Sequence, residues 1–520
     1  MAVYMNNDRS TWKNRLAYVC DLCMVFCLFA AAGAWPTPDV NEAHYLTRAR
    51  HEFNPSWAEH DFFLNTPEAH GLFALVIGPV AGGFPLWIAA WIGRAVGWIA
   101  LAVGFIHVAR GVLRQRYSRV LAAALFSLGL RYTTAAGEWM IGGCEAKVFA
   151  WAGVLFAVGE IVRDRWSSGW IVLGFSTAIH PLVGGWGMIA CVVEQCFVSR
   201  KIRLSFLPCL AGIGIAMIGV VPALMLSFGV DQAIRLEANR IYVTERLPHH
   251  LLPRAFASGM IPRHFLAALV SWLLAKYLPD DTARQRLQGY TVAALGIAVI
   301  GYGVAWMEPF DSGVVYSLLK YYWFRLSDGL MPLALALVVA TCFSEPEVIK
   351  KLFGSVAIAR WGIVLLLAID LVSESRHWPL PGRDVQPRSD KFLHVDAWHD
   401  VCQWSSKHTS ETACFIVPRR ASTFVWNTGR AEVVSWKNIP QAAESIVEWR
   451  QRIVKCFSRD GTLRNMETDA AVIGRKHLIE IARQYGADHA IAAAKIQDLE
   501  GPGLRRLYVN DFYAVYHIEF

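Results

Sequence analysis

The sequence predicts a mainly α-helical, polytopic membrane protein of about eleven transmembrane helices, followed by an external α/β domain. Three observations support this fold class. The 520-residue chain is 55% hydrophobic and only 18% charged, with a mean hydropathy of +0.33. Apolar runs of about 15–25 residues recur between short charged patches, which is typical of helices that cross a bilayer. After Ser373 the composition becomes that of a soluble protein.

The first apolar run covers residues 16–34 and follows two basic residues, Lys13 and Arg15. It predicts a retained first helix. The alternative is a cleaved signal peptide, because the letters AAAGAW offer a small-residue cleavage site. In either case the residues that follow lie outside the membrane.

A long polar stretch over residues 35–85 follows, and it carries too many ionisable groups to lie in hydrocarbon. We therefore interpret it as an external loop. The apolar segment His70 to Gly83 within it is too short to span comfortably, so we expect it to lie flat at the interface. With that interpretation the basic patch 110–119 falls inside, as the positive-inside rule requires.

The remaining apolar runs then alternate across the membrane in a consistent way. Most inside loops are basic, among them RGVLRQRYSR at 110–119 and SRKIR at 199–203. The N-terminus is predicted inside and the C-terminal region outside. The predicted spans are 16–34, 86–109, 119–133, 147–163, 167–180, 181–198, 204–228, 262–277, 289–307, 329–343 and 354–373.

The C-terminal part divides into a linker over 374–390, rich in proline, and a domain over 391–520. AAESIVEWRQRIVKCF and KHLIEIARQYG have the periodicity of amphipathic helices, whereas ACFIVP, TFVWN, AEVVSW and LYVNDFYAVYHIEF predict strands. Cys402, Cys414 and Cys456 would lie in an oxidising space, where one disulfide and three free thiols are both consistent with the sequence.

The net charge of +8 raises the question of nucleic-acid binding. The basic residues lie mostly in short patches between helices, where membrane topology already explains them. We therefore expect a lipid bilayer, and no nucleic acid, as a partner.

Several predicted external segments carry groups that a simple connector does not need. Carboxylates with histidines can bind a divalent cation or act as a general base, and arginine and lysine suit a phosphate. Each group also has a structural interpretation, such as a surface ion pair or a histidine at a helix end. The candidates are Glu42, His44, Asp61, Glu138, Glu145, Lys147, His180, Arg240, Arg246 and Arg325.

The order of these parts, with N-E-A-H-Y at 41–45 after the first helix, resembles the GT-C glycosyltransferases. That superfamily includes protein O-mannosyltransferases, aminoarabinose transferases and the catalytic subunit of oligosaccharyltransferase. The acidic motif of the superfamily is commonly Asp-Glu followed by an aromatic residue, so Glu42 and Tyr45 match it and Asn41 departs from it.

This resemblance implies a sugar donor linked to polyprenyl phosphate. It implies that Glu42 or Asp61 acts as the catalytic base, and that the donor phosphate binds a set of cationic side chains. Glu138, Glu145, His44 and His180 become candidates for the acceptor or for a divalent metal ion. The phosphate-binding set is Arg240, Arg246, Arg325 and Lys147.

Stretches such as GEWMIGGCEAKVFA, HPLVGGW and ANRIYVTERLPHHL also resemble an uncharacterised family of bacterial membrane proteins. That likeness implies the bacterial inner membrane as the location. Two other functions stay open at this point. One is a non-catalytic membrane protein whose external domain binds an envelope partner or polymer. The other is a transporter. Charged residues within the predicted spans would favour this function, but the clear ones are few: Arg94, Glu160 and Glu194.

Overall fold

A computed structural model describes residues 2–198 and 206–520 of the chain. The predicted basic loop SRKIR lies outside these described residues. The chain is mainly helical, and the helices of its first three quarters are α1 (Ala2–Gly33), α2 (Glu42–Phe53), α3 (Gly71–Gly83), α4 (Leu86–Val112), α5 (Arg116–Tyr132), α6 (Ala146–Val162), α7 (Trp166–Ile179), α8 (Pro181–Val193), α9 (Phe206–Met225), α10 (Gln232–Arg240), α11 (Pro248–Leu251), α12 (Met260–Ala275), α13 (Thr282–Trp306), α14 (Ser312–Leu319), α15 (Arg325–Ser344), α16 (Pro346–Phe353) and α17 (Val356–Ser375).

Each of the eleven predicted spans coincides with one of these helices. Six helices within the described residues are long and apolar enough to cross a membrane: Asn14–Gly33 of α1, α4, α9, α13, α15 and α17. The chain is thus a multi-pass membrane protein. The shorter helices α5, α6, α7, α8 and α12 were also predicted to span, and for them crossing stays a prediction.

The helices differ in what they pack against. α15 is buried along its length, with Leu330, Leu333 and Leu337 fully inside the bundle. By contrast, α9 and α17 leave most of their apolar side chains exposed, such as Leu224 and Leu365. Exposed apolar surface of this extent on a helix of spanning length suits contact with lipid.

The loop after α1 is well ordered by its own side chains. Arg48 of α2 donates hydrogen bonds to the carbonyl oxygens of Phe63 and Leu64, at 2.6 and 2.8 Å, and also to that of Thr66. The apolar helix α3 packs against α2, because Gly78 and Gly82 leave room for Phe53. A helix is therefore present where the interfacial segment was predicted.

The C-terminal region contains a five-stranded mixed sheet with the strand order β2-β1-β3-β5-β4. β1 pairs in parallel with β2 and β3, whereas β5 pairs antiparallel with β3 and β4. The elements are α18 (Val395–His408), β1 (Cys414–Ile416), α19 (Phe424–Thr428), β2 (Ala431–Glu432), α20 (Ala443–Phe457), α21 (Arg475–Tyr485), β3 (His489–Ala493), β4 (Leu504–Val509) and β5 (Tyr513–Ile518).

Two details of this region differ from the sequence prediction. TFVWN forms the short helix α19 and not a strand. Five residues are too few to show a helical or strand periodicity of hydrophobic residues, and a single helical turn already buries Phe424 and Val425. The strand β3 was not predicted. Cys402, Cys414 and Cys456 are buried free thiols, so the free-thiol alternative describes this structure.

Candidate functional site

Glu42, the acid of the N-E-A-H-Y motif, is fully buried in an ion pair. Arg94 of α4 donates from Nε and Nη2 to the two carboxylate oxygens, each at 2.6 Å. The backbone N–H groups of Asp39 and Cys144 donate to the same carboxylate at 2.7 and 2.8 Å. These four donors occupy both oxygens and tie α2 to α4 and to the loop before α6. The geometry favours a structural role for Glu42, and its predicted role as a base remains untested.

Asn41, the departure from the acidic motif, faces a second carboxylate. Its Nδ2 donates to Oε2 of Glu145 at 3.0 Å, and Nζ of Lys147 lies 3.5 Å from the same oxygen. Glu145 is buried, and burial raises the pKa of its carboxyl group above the ordinary value. A carboxylate with a raised pKa and few charged partners is better suited to accept a proton than one held by an arginine fork.

Arg325, at the start of α15, approaches the same place from another part of the chain. Its Nε lies 3.1 Å from Oε2 of Glu138. Burial opposes ionisation of Glu138, but the charges of Arg325 and Lys147 outweigh it and lower the pKa of this carboxyl group. Arg325 and Asp328 do not pair with each other. Instead Asp328 accepts from the backbone N–H groups of residues 135, 136 and 138, at 2.5, 2.9 and 3.1 Å. The helix α15 therefore holds the loop 135–138 at two points, through Arg325 and through Asp328.

Two histidines and a tyrosine line the approach to Arg325. His180, between α7 and α8, has its Nε2 3.5 Å from Nη1 of Arg325. Its Nδ1 accepts from the N–H of Val183, and its ring lies 4.6 Å from that of His70. Burial lowers the pKa of both imidazoles, so they are neutral at pH 7. Nδ1 of His70 is buried without a hydrogen-bond partner, and the ring of Tyr45 lies 5.8 Å away.

Arg246 reaches this group from a π-helical turn, Ile241–Arg246, that extends α10. Its guanidinium donates to the carbonyl oxygens of Trp436 and Lys437, at 3.0 and 3.2 Å. Lys437 therefore enters from the C-terminal region. Burial and the charge of Arg246 lower the pKa of the Lys437 amine to about 7, and this amine lies within electrostatic range of Glu145.

We call these groups the cationic cluster: Lys147, Arg246, Arg325 and Lys437, with the carboxylates Glu138 and Glu145. Four cations and two carboxylates meet in it, so positive charge is in excess. The six come from four separate parts of the chain: the segment 138–147, Arg246, Arg325 and Lys437. Buried charge that is not neutralised is costly, which makes the cluster a place for an anion.

Asp61 lies elsewhere and performs a different task. Its Oδ1 accepts from the N–H of Leu64 at 2.8 Å, and its Oδ2 accepts from the N–H of Glu432 at 3.0 Å. It therefore joins the loop 35–85 to the strand β2. Glu432 is itself buried, and the neighbouring charge of Asp61 together with burial raises the pKa of its carboxyl group. A base role for Asp61 stays untested, and the geometry favours an anchoring role.

Two further candidates do not join the cationic cluster through any hydrogen bond or ion pair among the described residues. Arg240 is paired with Glu237, at 2.8 Å, and with Glu245, at 2.9 Å. His44 packs its ring 4.4 Å from that of Phe63, and burial together with Arg48 lowers the pKa of its imidazole well below the ordinary value. Their predicted roles stay predictions.

The predicted divalent metal ion has no ready site. Within residues 2–198 and 206–520, no three His, Cys, Asp or Glu side chains gather where they could hold a metal ion. Glu138 and Glu145 are each partnered by a cation, and His180 is occupied by Val183 and Arg325. The divalent metal ion stays a prediction, and no step of the proposed reaction passes through one.

Several residues of the cationic cluster, and of the side chains around it, were not predicted as site residues from the sequence. Lys437 and His70 carry no recognisable motif, and only the chain fold brings Lys437 to Arg246 and His70 to Arg325. Arg94 was noted as an intramembrane charge, and its ion pair with Glu42 was not foreseeable from the sequence. A cavity of about 380 Å³ lies between α5, α15 and α17 and is lined mainly by leucines and other apolar side chains, which suits a lipid chain.

The model of one protein family matches residues 396–456, and that family is described as a domain of unknown function, DUF6798. The match covers α18 and most of α20. No curated protein matches the chain by sequence.

Several solved structures are similar to the chain over nearly its whole length. Arabinofuranosyltransferase AftD from Mycobacteria is 14% identical, with a TM-score of 0.47, and the match covers 97% of this chain and 40% of AftD. Archaeal oligosaccharyltransferase AglB from Archaeoglobus fulgidus is 10% identical (TM-score 0.43; 93% and 70% covered). ArnT from Cupriavidus metallidurans is 12% identical (TM-score 0.40; 98% of each chain covered). The chain thus spans less than half the length of AftD. All three are GT-C glycosyltransferases, the superfamily that the sequence resembles.

Proposed function

We propose that the protein is a membrane glycosyltransferase that transfers a sugar from a polyprenyl-phosphate donor to an acceptor hydroxyl. One observation carries this proposal: a cluster of four cations and two carboxylates, with both carboxylates and Lys147 buried and the other cations partly buried, lies where the helix bundle meets the C-terminal region. A phosphate group held there would compensate the excess positive charge. The lipid part of the same donor would remain in the bilayer that the helices cross.

In the proposed reaction the bond between the sugar anomeric carbon and the phosphate oxygen breaks, and a bond forms between that carbon and the acceptor oxygen. Arg325, Lys147 and Arg246 stabilise the negative charge that develops on the departing lipid phosphate. Arginine is suited to this task because its planar fork matches two phosphate oxygens. Polyprenyl phosphate leaves as the second product.

Glu145 is our candidate for the base that takes the proton of the acceptor hydroxyl. Its pKa is raised by burial, so it binds a proton more readily than an exposed glutamate. Asn41 and Lys147 fix the orientation of its carboxylate. Glu42, predicted as the base, instead holds α2 and the 142–145 segment in register through Arg94 and the N–H of Cys144.

The binding step can be tested with undecaprenyl phosphate, the ligand of one solved ArnT structure. Purified full-length protein in detergent should bind it, and Arg325→Ala should raise the Kd about 10- to 100-fold, since a lost charged hydrogen-bond donor costs roughly 1.5–3 kcal/mol. Arg240→Ala is the matched control, because its guanidinium is already paired with two glutamates. Equal affinities for wild type and Arg325→Ala would exclude the cluster as the phosphate site.

The transfer step needs a separate measurement. A panel of undecaprenyl-phosphate-linked sugars is incubated with the protein and with envelope extract, and release of undecaprenyl phosphate is followed. Glu145→Gln should abolish most of the release and leave the Kd within a few-fold. Binding of every donor without release from any would overturn the transferase proposal in favour of a non-catalytic binding protein.

A further inference from the structure

We infer that the C-terminal region completes the donor-binding site by supplying Lys437 as a direct contact for the phosphate anion, and that Asp61 is a positioning residue for the segment that carries it. The inference rests on the proposed function. It deepens that function by adding a fourth phosphate contact and by making binding dependent on pH.

The backbone of Lys437 is held in place, whereas its amine has no partner among the residues that the structure describes. Arg246 donates to the carbonyl oxygens of Trp436 and Lys437, which belong to the peptide bonds before and after Lys437, and so fixes the backbone. The amine itself forms no hydrogen bond or ion pair with any residue that the structure describes. Lysine amines are rarely buried without a counter-ion, because the charged form is poorly solvated there. An anion held beside Lys437, Arg246 and Lys147 would provide one.

Asp61 and Glu432 anchor the segment 432–438 that carries Lys437. Asp61 accepts from the N–H of Glu432, at the beginning of this segment. Glu432 then closes it into a compact turn, because its Oε1 accepts from Ser435 at 2.6 Å and from Asn438 at 3.0 Å. Lys437 lies between these two residues. The loop 35–85 therefore determines, through Asp61, where the Lys437 amine stands.

The surroundings of Lys437 explain why its protonation matters. Burial and neighbouring cations lower the pKa of its amine to about 7, so about half of the molecules carry the charge at neutral pH. A bound phosphate would favour the charged form and raise that pKa. Binding then takes up a proton and weakens as the pH rises above 7. The charged or titratable groups within electrostatic range are Arg246, Glu145, Lys147, Lys391, His44 and His249.

The experiment measures the Kd of undecaprenyl phosphate on full-length protein at pH 7.0 and pH 8.5. For wild type we expect roughly tenfold weaker binding at the higher pH, from loss of the Lys437 proton. Lys437→Arg should bind about as tightly as wild type at pH 7 and lose the pH dependence, because arginine stays charged. Lys437→Gln should bind severalfold more weakly at pH 7 and be equally insensitive to pH. Exposed Lys407→Gln is the control and should behave as wild type.

Asp61→Ala tests the positioning role with the lysine intact. Release of the segment should expose the Lys437 amine to water and return its pKa towards 10.5, so the pH dependence between 7.0 and 8.5 should disappear while affinity falls severalfold. A purely structural role for Asp61 would lower the yield of folded protein and leave the pH dependence of the folded fraction unchanged.

The outcomes separate this inference from the proposed function. If wild type binds, Arg325→Ala weakens binding, and Lys437→Arg keeps the wild-type pH dependence, the Lys437 contact is wrong and the cationic cluster stands. If wild type does not bind undecaprenyl phosphate and Arg325→Ala changes nothing, the proposed function itself is wrong.

Discussion

Two buried ionic groups lie close together in this protein, and they differ in how completely their charges are compensated. In the first, the carboxylate of Glu42 receives the guanidinium of Arg94 and two backbone N–H groups. In the second, Arg325, Arg246, Lys147 and Lys437 share only two carboxylates. The first is a closed structural joint. The second has an excess of positive charge. This excess distinguishes a binding site from a structural ion pair built from the same residue types.

The largest expected effect follows from breaking the closed joint. Glu42→Ala leaves Arg94 buried without a counter-ion and should lower the free energy of unfolding by about 3–5 kcal/mol. Thermal unfolding in detergent measures this, with Asp384→Ala as the control because that carboxylate is exposed. A variant as stable as the control would mean that Glu42 is not the structural member of the comparison.

The next prediction concerns the anchor between the loop and β2. Burial and Asp61 raise the pKa of Glu432 to about 8 from an ordinary value of 4.5, so the folded state holds a proton that the unfolded state releases. This contribution is fully present below pH 4.5 and is lost as the pH rises towards 8. Stability should therefore fall on the order of 2–4 kcal/mol between pH 5 and pH 8.

Glu432→Gln is the matched variant for this pH effect. The amide is neutral at every pH and its oxygen can still accept from Ser435, so its stability should be nearly flat over the same range. A wild-type protein with the same flat profile would show that Glu432 is ionised in the folded state.

A substitution in the cationic cluster should weaken binding more than stability, whereas a substitution in the closed joint should mainly reduce stability. Arg325→Ala should cost about 1.5–3 kcal/mol in binding of undecaprenyl phosphate. Its cost in stability should be smaller than that of Glu42→Ala, because Glu138 keeps its electrostatic contact with Lys147 and its hydrogen bond from Trp151. Measuring both variants in both assays tests the comparison directly, and parallel losses of stability and binding would remove the distinction.

The smallest effect is expected at Arg240. This side chain is partly exposed and paired with Glu237 and Glu245, so Arg240→Ala should change stability by about 0–1 kcal/mol and leave lipid binding unaltered. Thermal unfolding and the Kd measurement check both statements. A tenfold loss of binding would restore Arg240 to the phosphate-binding set that the sequence predicted.

Local pattern was sufficient for much of the fold. Each of the eleven predicted apolar segments is helical, since a long apolar run in a membrane protein has to satisfy its backbone hydrogen bonds internally. The two amphipathic helices α20 and α21 were also predicted from their periodicity, and the predicted strand run LYVNDFYAVYHIEF contains β5 and the end of β4. TFVWN was assigned wrongly because a five-residue run contains too little periodicity to distinguish a helical turn from a strand.

The sequence by itself determined that this chain is a helical membrane protein whose polar segments carry more charge than simple connectors need. It could do so because hydropathy is a property of individual residues. Which charges meet was decided by the tertiary structure alone. Glu42 and Arg94 lie 52 positions apart, and Asp61 and Glu432 lie 371 apart. A carboxylate can act as a general base, form a structural ion pair or anchor a loop. Which role it takes depends on the number of hydrogen-bond donors around it, and only the fold sets that number.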